Sequence, residues 1–140
     1  MSIRVAITDD EIRACYPVMA QLRPHVQADD FVPRVRRQEQ QSYRLAGRWV
    51  GEKVVAVAGY RHGECLSQGR YIYVDDLVTD EPVRSSGVGH GILAYLEGLA
   101  RARHCPSIEL DSALERALAH RFYFREGYVI SAFVFRKQLP

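Results

Sequence analysis

Near the amino end of the chain Ile3, Val5 and Ile7 alternate with Arg4 and Ala6, the two-residue period of a short strand with one face buried. Asp9-Asp10 then supply the polar groups that start a helix. Beyond them Ile12, Cys15, Tyr16, Met19 and Leu22 recur every three or four residues and draw one apolar stripe, which Pro17 interrupts with a kink or an irregular turn. Residues 24–30 read as a loop, and Phe31 to Gln41 as a second, Arg-rich helix that is half buried.

Two stretches rich in aromatic and β-branched residues follow, Tyr43 to Val50 and Val54 to Tyr60, with Gly51-Glu52-Lys53 between them as the turn of an antiparallel hairpin. The polar run His62 to Gln68 reads as a connection, and Tyr71 to Thr79 as a central strand. From Gly87 the residues Val88, Ile92, Leu96, Leu99 and Ala100 keep helical spacing as far as His104. Ser107 to Asp111 return to strand alternation. Ser112 and Glu115 have the spacing of a capping box, which predicts a helix from about Ala113 to Glu126 with Gly127 ending it. Tyr128, Ile130, Ala132, Val134 and Arg136 then predict a last strand. The order βααββ followed by βαβαβ is that of an α/β domain, one sheet with helices on its faces, formed by residues 1–140 as a single unit.

Composition narrows the setting. The chain has 140 residues, 47% hydrophobic and 26% charged, with a mean hydropathy of -0.22. No apolar run approaches the ~20 residues that span a membrane, and the first residues lack the basic start and long apolar stretch of a secretory signal. No membrane association and a cytoplasmic location are the expectation. Cys15, Cys65 and Cys105 are odd in number and far apart, which fits a reducing compartment rather than a disulfide framework. A net charge of +2 falls well short of the cationic balance of a nucleic-acid binder, so no nucleic-acid partner is expected. His62, Glu64 and Cys65 lack the paired spacing of a structural zinc site, and no metal is expected. Arg34, Arg36 and Arg37 read as a solvated helix face, and no local Ser/His or Cys/His pairing supports a nucleophilic triad.

The segment with most chemical content runs from the strand end at Leu77-Val78-Thr79 through Arg84-Ser85-Ser86-Gly87-Val88-Gly89-His90 into a helix. Glycines there admit close backbone approach, and the free N–H groups of a helix start attract an anion such as a pyrophosphate. The segment lacks the Gly-Lys-Ser/Thr ending of a nucleotide P-loop and the three-glycine spacing of a dinucleotide fingerprint. Taken alone, it also reads as a plain helix-entry turn.

A strand followed by Arg/Gln-x-x-Gly-x-Gly/Ala and a helix resembles the GNAT superfamily of acetyl-CoA-dependent N-acetyltransferases. The stretch Ala119-His120-Arg121-Phe122-Tyr123-Phe124-Arg125-Glu126-Gly127-Tyr128 resembles that family's penultimate helix, with a tyrosine four residues before a Gly-aromatic pair. The order of elements agrees from Ile3 to Lys137. Members of the family that acetylate aminoalkylphosphonates have a similar ending, which is shared with members of other substrate. The resemblance implies the GNAT fold, a mixed, mostly antiparallel sheet with helices on both faces, and acetyl-CoA as co-substrate. It places Leu77, Val78 and Thr79 along the pantetheine arm and Arg84, Ser85, Ser86, Gly87, Val88, Gly89 and His90 around the pyrophosphate. It also makes Tyr123 the general acid, since a phenol of pKa ~10 can protonate a departing thiolate whose thiol has a pKa of ~8.5.

The attacking amine must lose a proton, and Asp75 or Asp76 is placed to take it or to lead it to solvent. Successive strand residues face opposite sides, so only one points at the cleft unless a bulge intervenes. Asp111 is a further candidate. Arg116 stands where many relatives carry an asparagine, and Ser85-Ser86 replace a frequent Arg/Lys-Gly pair. The region from Gln27 and Asp29 to Phe31 is expected to shape the acceptor site. The implied reaction is direct acetyl transfer to the primary amine of a small molecule. Acetylation of a protein lysine or amino terminus, and a non-catalytic CoA-binding module, are the alternatives. The resemblance also allows a homodimer.

Overall fold

The computed structural model describes residues 2–140, which form two compact units, the first reaching to Leu110 and the second Asp111–Pro140. In the first unit β1 (Ser2–Val5) leads to α1 (Asp9–Leu22) and α2 (Ala28–Glu39). The strands β2 (Arg44–Val50), β3 (Lys53–Cys65) and β4 (Gly69–Thr79) follow. A 3₁₀ turn (Glu81–Val83), α3 (Val88–Ala102) and β5 (Ser107–Leu110) complete it. The strands lie in the order β1-β2-β3-β4-β5. Neighbours from β1 to β4 are antiparallel, and β5 joins β4 in parallel.

The position of the helices follows from β3. Its residues Val54 to Tyr60 are all buried, so both faces of the sheet need cover. Ile12, Cys15 and Met19 of α1, with Phe31 and Val35 of α2, join Leu45, Trp49, Val57 and Val78 in one core on one face. The buried stripe Ile92, Leu93, Leu96 and Ala100 of α3 covers the other. The sheet is mixed and mostly antiparallel, with helices on both faces, as the resemblance implied.

Several boundaries differ from the sequence reading. α1 starts with a capping box in which Thr8 and Glu11 exchange hydrogen bonds, and it runs through Pro17 without ending. α2 begins at Ala28, so Asp29 and Asp30 form its first turn, where acidic groups complement the helix dipole. The β3–β4 hairpin extends through the polar stretch that reads as a connection, pairing His62 with Ile72 and Glu64 with Arg70.

The second unit departs most. Ser112 makes no capping hydrogen bond, and α4 occupies only Ala117–Arg125. Gly127 ends it at φ +90°, as its sequence position suggested. The expected last strand from Tyr128 to Arg136 is absent: those residues are neither helix nor strand. The alternation satisfies the facing rule of a strand, but a strand also needs a hydrogen-bonded neighbour, and none is formed among the described residues.

Candidate active site

A bulge in β4 sets the site. Gly59 pairs with Asp76, whereas the next residue, Tyr60, pairs with Val74, so Asp75 is the extra residue on β4. A bulge cancels the usual alternation, and both Asp75 and Asp76 line a cleft of about 200 Å³ between β4, α2 and the end of α1. The two aspartates that the alternation would have placed on opposite faces are thereby brought together.

Each carboxylate is held differently. Asp76 accepts from Arg23 Nε at 2.9 Å and from the buried Tyr43 hydroxyl at 2.8 Å, and the Arg23 guanidinium also donates to the Asp75 carbonyl at 3.0 Å. Asp75 accepts from Arg61 Nε at 2.9 Å, and Arg61 is braced in turn by Gln38 at 2.6 Å. The second carboxylate oxygen of Asp75 is buried without a donor. Burial raises the Asp75 pKa above the ordinary aspartate value, against the opposing pull of Arg61. Burial first, and then the charge of Asp76, keep the Tyr43 phenol well above its usual range, so it stays a donor. Gly59 makes the arrangement possible, because a Cβ there would run into the Tyr43 hydroxyl and the Asp76 carboxylate.

The β4–β5 pairing ends at Val74 and Leu110. From Asp75 to Thr79 the strand therefore has no neighbour on its outer side among the strands of the first unit. The chain then passes through the 3₁₀ turn and an exposed loop to α3. Ser85 and Gly87 take left-handed backbone at φ +66° and +84°. Gly87 is the N-cap of α3 and offers no side-chain acceptor to the first turn, so the N–H groups there have no side-chain cap. Val88 is buried, and Gly89 and His90 continue the first turn.

Side chains in this loop act mainly on the loop itself. Arg84 donates to the Thr79 carbonyl and to Gln21 Oε1, both at 3.1 Å, and the Ser86 hydroxyl donates to the Val83 carbonyl. Gln21, which the sequence did not single out, also donates to Asp80 at 2.7 Å and accepts from the Glu81 N–H at 3.1 Å. Asp80 is buried, and the Gln21 hydrogen bond is the main cause holding its carboxyl below the usual range. The end of α1 thus anchors the start of the loop. Gly59, Tyr43, Arg23, Arg61 and Gln21 escaped the sequence reading because their importance depends on strand register and helix placement, which no local motif encodes.

Tyr123 lies on α4 in the second unit. Its phenol is raised above the ordinary tyrosine value by burial, with Arg116 pulling the other way, and its ring packs 6.1 Å from Tyr128. Asp111 is the first residue of the same unit. Among the described residues no group of three His, Cys, Asp or Glu side chains could hold a metal ion. A larger hollow of about 510 Å³, lined by His62, Glu64, Arg70 and Arg103 among others, lies towards the far end of the β3–β4 hairpin and contains neither aspartate.

Comparison with known proteins identifies the family. The description "Acetyltransferase (GNAT) family" matches residues 7–128. The chain is 31% identical to an uncharacterised N-acetyltransferase of Bacillus subtilis (strain 168), YhdJ, over 91% of this chain and 92% of that protein. It is 41% identical to an aminoalkylphosphonate N-acetyltransferase of Salmonella typhimurium over 69% of this chain and 62% of the relative. Its fold matches an aminoglycoside N-acetyltransferase, AAC(6')-Iy, solved in complex with CoA. The TM-score is 0.85 over 99% of this chain and 93% of the other, at 12% identity. The chain belongs to the GNAT family and is an acetyl-CoA-dependent N-acetyltransferase.

Proposed function

We propose that this enzyme acetylates the primary amine of a small molecule by direct attack on the thioester of acetyl-CoA. The observation that carries the reading is the β4 bulge, which turns Asp75 and Asp76 into one cleft on the strand whose outer edge is open from Asp75 onward. That open edge and the uncapped, glycine-led start of α3 suit a long ligand with an amide-bearing arm and a pyrophosphate. In this reading Leu77 and Val78 meet the arm through the backbone, and the N–H groups from Arg84 to His90 meet the phosphates. Bound there, the co-substrate supplies an acyl carbon already activated by sulfur.

An ammonium group enters the cleft beside two carboxylates and gives up its proton, since only the free amine has the lone pair that forms the new C–N bond. Asp75 is the better acceptor, because it holds one donor where Asp76 holds two and burial favours its protonated form. Asp76, fixed by Arg23 and Tyr43, keeps the bulge in shape. As the C–S bond breaks the thiolate needs a proton, and Tyr123, whose phenol is protonated at neutral pH, is assigned as its donor. The products are the acetamide, the CoA thiol and one released proton.

Thiol release from acetyl-CoA with a panel of aminophosphonates, polyamines, aminoglycosides and peptides tests the reading. Release with a small amine is expected, with Tyr123→Phe slower by about 10²–10⁴-fold, the usual contribution of general acid catalysis. Equal rates for the variant and the wild type across pH would remove Tyr123 from the mechanism, and release with peptides alone would replace the small-molecule acceptor.

A further inference from the structure

The cleft at the bulge contains more positive charge than its carboxylates use. Asp76 is matched by Arg23, and Asp75 by Arg61. Arg34 of α2 and His25 of the α1–α2 loop also line the cleft, and neither has a hydrogen bond, ion pair or ring contact among the described residues. Elsewhere on α2 the opposite holds: Arg36 is paired with Asp9 at 2.7 Å and with Glu39 at 3.1 Å. The face that presents Arg34 is set by its neighbours, since Phe31, Arg34, Val35 and Gln38 have the spacing of one helix face and all four line the cleft. The loop with His25 is fixed as well: the Tyr16 hydroxyl donates to the Val26 carbonyl at 2.7 Å, and the Tyr16 ring packs 5.3 Å from Phe31.

A half-buried guanidinium without a counter-ion, facing a cleft that already contains two neutralised carboxylates, calls for an anion from the ligand. The cleft, at about 200 Å³, is small, which favours a short ligand. We infer that the acceptor is a short amino acid in the broad sense, a primary amine with a phosphonate, carboxylate or similar anion a few bonds away. Its amine faces the Asp75–Asp76 pair, and its anion is held by Arg34 with His25 beside it. The inference rests on the acetyltransfer reading for the role of the amine, but the anion site itself stands on the unmatched guanidinium of Arg34.

Matched acceptors test it on the full chain. 2-Aminoethylphosphonate, β-alanine and 2-aminoethanol share the aminoethyl group and differ in the anion, so kcat/KM by thiol release should be at least tenfold higher for one of the anionic pair than for 2-aminoethanol. Whether the phosphonate or the carboxylate leads identifies the anion. Arg34→Gln should cut that preference by ~10–100-fold, the range expected for a charge-assisted hydrogen bond, mainly through KM. Arg34→Lys should recover part of it, and Arg37→Gln, on the exposed side of the same helix, should leave it intact. A circular dichroism melt of each variant shows that it folds. Equal kcat/KM for all three amines, or a preference unchanged in Arg34→Gln, would overturn the inference. If no amine released thiol, the acetyltransfer reading would fall by itself. Calorimetric titration with 2-aminoethylphosphonate would still decide the anion site, which requires binding that Arg34→Gln weakens at least tenfold and is refuted by binding that it leaves unchanged.

Discussion

At the scale of single residues, the site depends on an atom that is missing. Gly59 lies opposite Asp76, and the space where its Cβ would sit is taken by the Tyr43 hydroxyl and the Asp76 carboxylate. Gly59→Ala must therefore push Tyr43 out of its hydrogen bond or bend β3 away from the bulge. Overpacking of this kind costs about 1–3 kcal/mol, and the expected outcome is a loss of that size in urea unfolding together with a marked fall in acetyl transfer. Full activity in a destabilised variant would separate the bulge from catalysis. The two aspartates themselves were legible, because they stand on the strand beside the acetyl site that the resemblance implies. What could not be read was that both turn the same way, since a bulge is a property of two paired strands and the sequence shows each one separately. At Arg84, whose position in the motif suggests a phosphate contact, the structure adds hydrogen bonds from the guanidinium to the Thr79 carbonyl and to Gln21.

At the scale of elements, periodicity located the strands and helices wherever apolar side chains had to face a core. It failed where they did not. The outer part of the β3–β4 hairpin is built of pairs such as Glu64–Arg70, and a polar two-stranded arm gives no apolar alternation to detect. The capping box was sought at Ser112 and Glu115, where the letters fit, and is formed at Thr8 and Glu11, where a long amphipathic helix follows directly. Contacts between elements were least visible. Gln21 closes α1 and binds Asp80, Glu81 and Arg84 at once, so the helix that packs on the sheet also positions the loop before α3. Gln21→Ala removes all three contacts without touching Asp75 or Asp76. The KM for acetyl-CoA should rise about tenfold, in keeping with the loss of one or two net hydrogen bonds of order 1 kcal/mol, while kcat changes little. Initial rates over a range of acetyl-CoA concentrations give both numbers, and a fall in kcat at constant KM would contradict the anchoring role.

For the molecule as a whole, two predictions concern properties that no single element owns. Val129, Ile130, Phe133, Val134, Phe135 and Leu139 are all more than 60% exposed, and an apolar run of that length in water drives association. Sedimentation velocity should show self-association that grows with concentration, and replacing Phe133 and Phe135 with serine should weaken it; a single species over a hundredfold concentration range would contradict this. The second prediction follows from Asp75. Burial outweighs the Arg61 contact, so the native pKa of Asp75 stands above that of the unfolded chain, and the native state binds this proton more tightly. The stability it contributes is complete below the unfolded pKa of ~3.9 and is lost as pH rises through the native value. Asp75→Asn puts a neutral group of nearly the same shape in the bulge and removes that dependence, while Arg61 keeps its bond to Gln38. Measured by urea unfolding, the stability of the wild type minus that of the variant should fall as pH climbs from below ~3.9, and level off once Asp75 is ionised in both states. A difference that is flat would mean that Arg61 fully offsets the burial of Asp75, and one that rises with pH that it more than repays it; in either case the proton would have to be taken by another group.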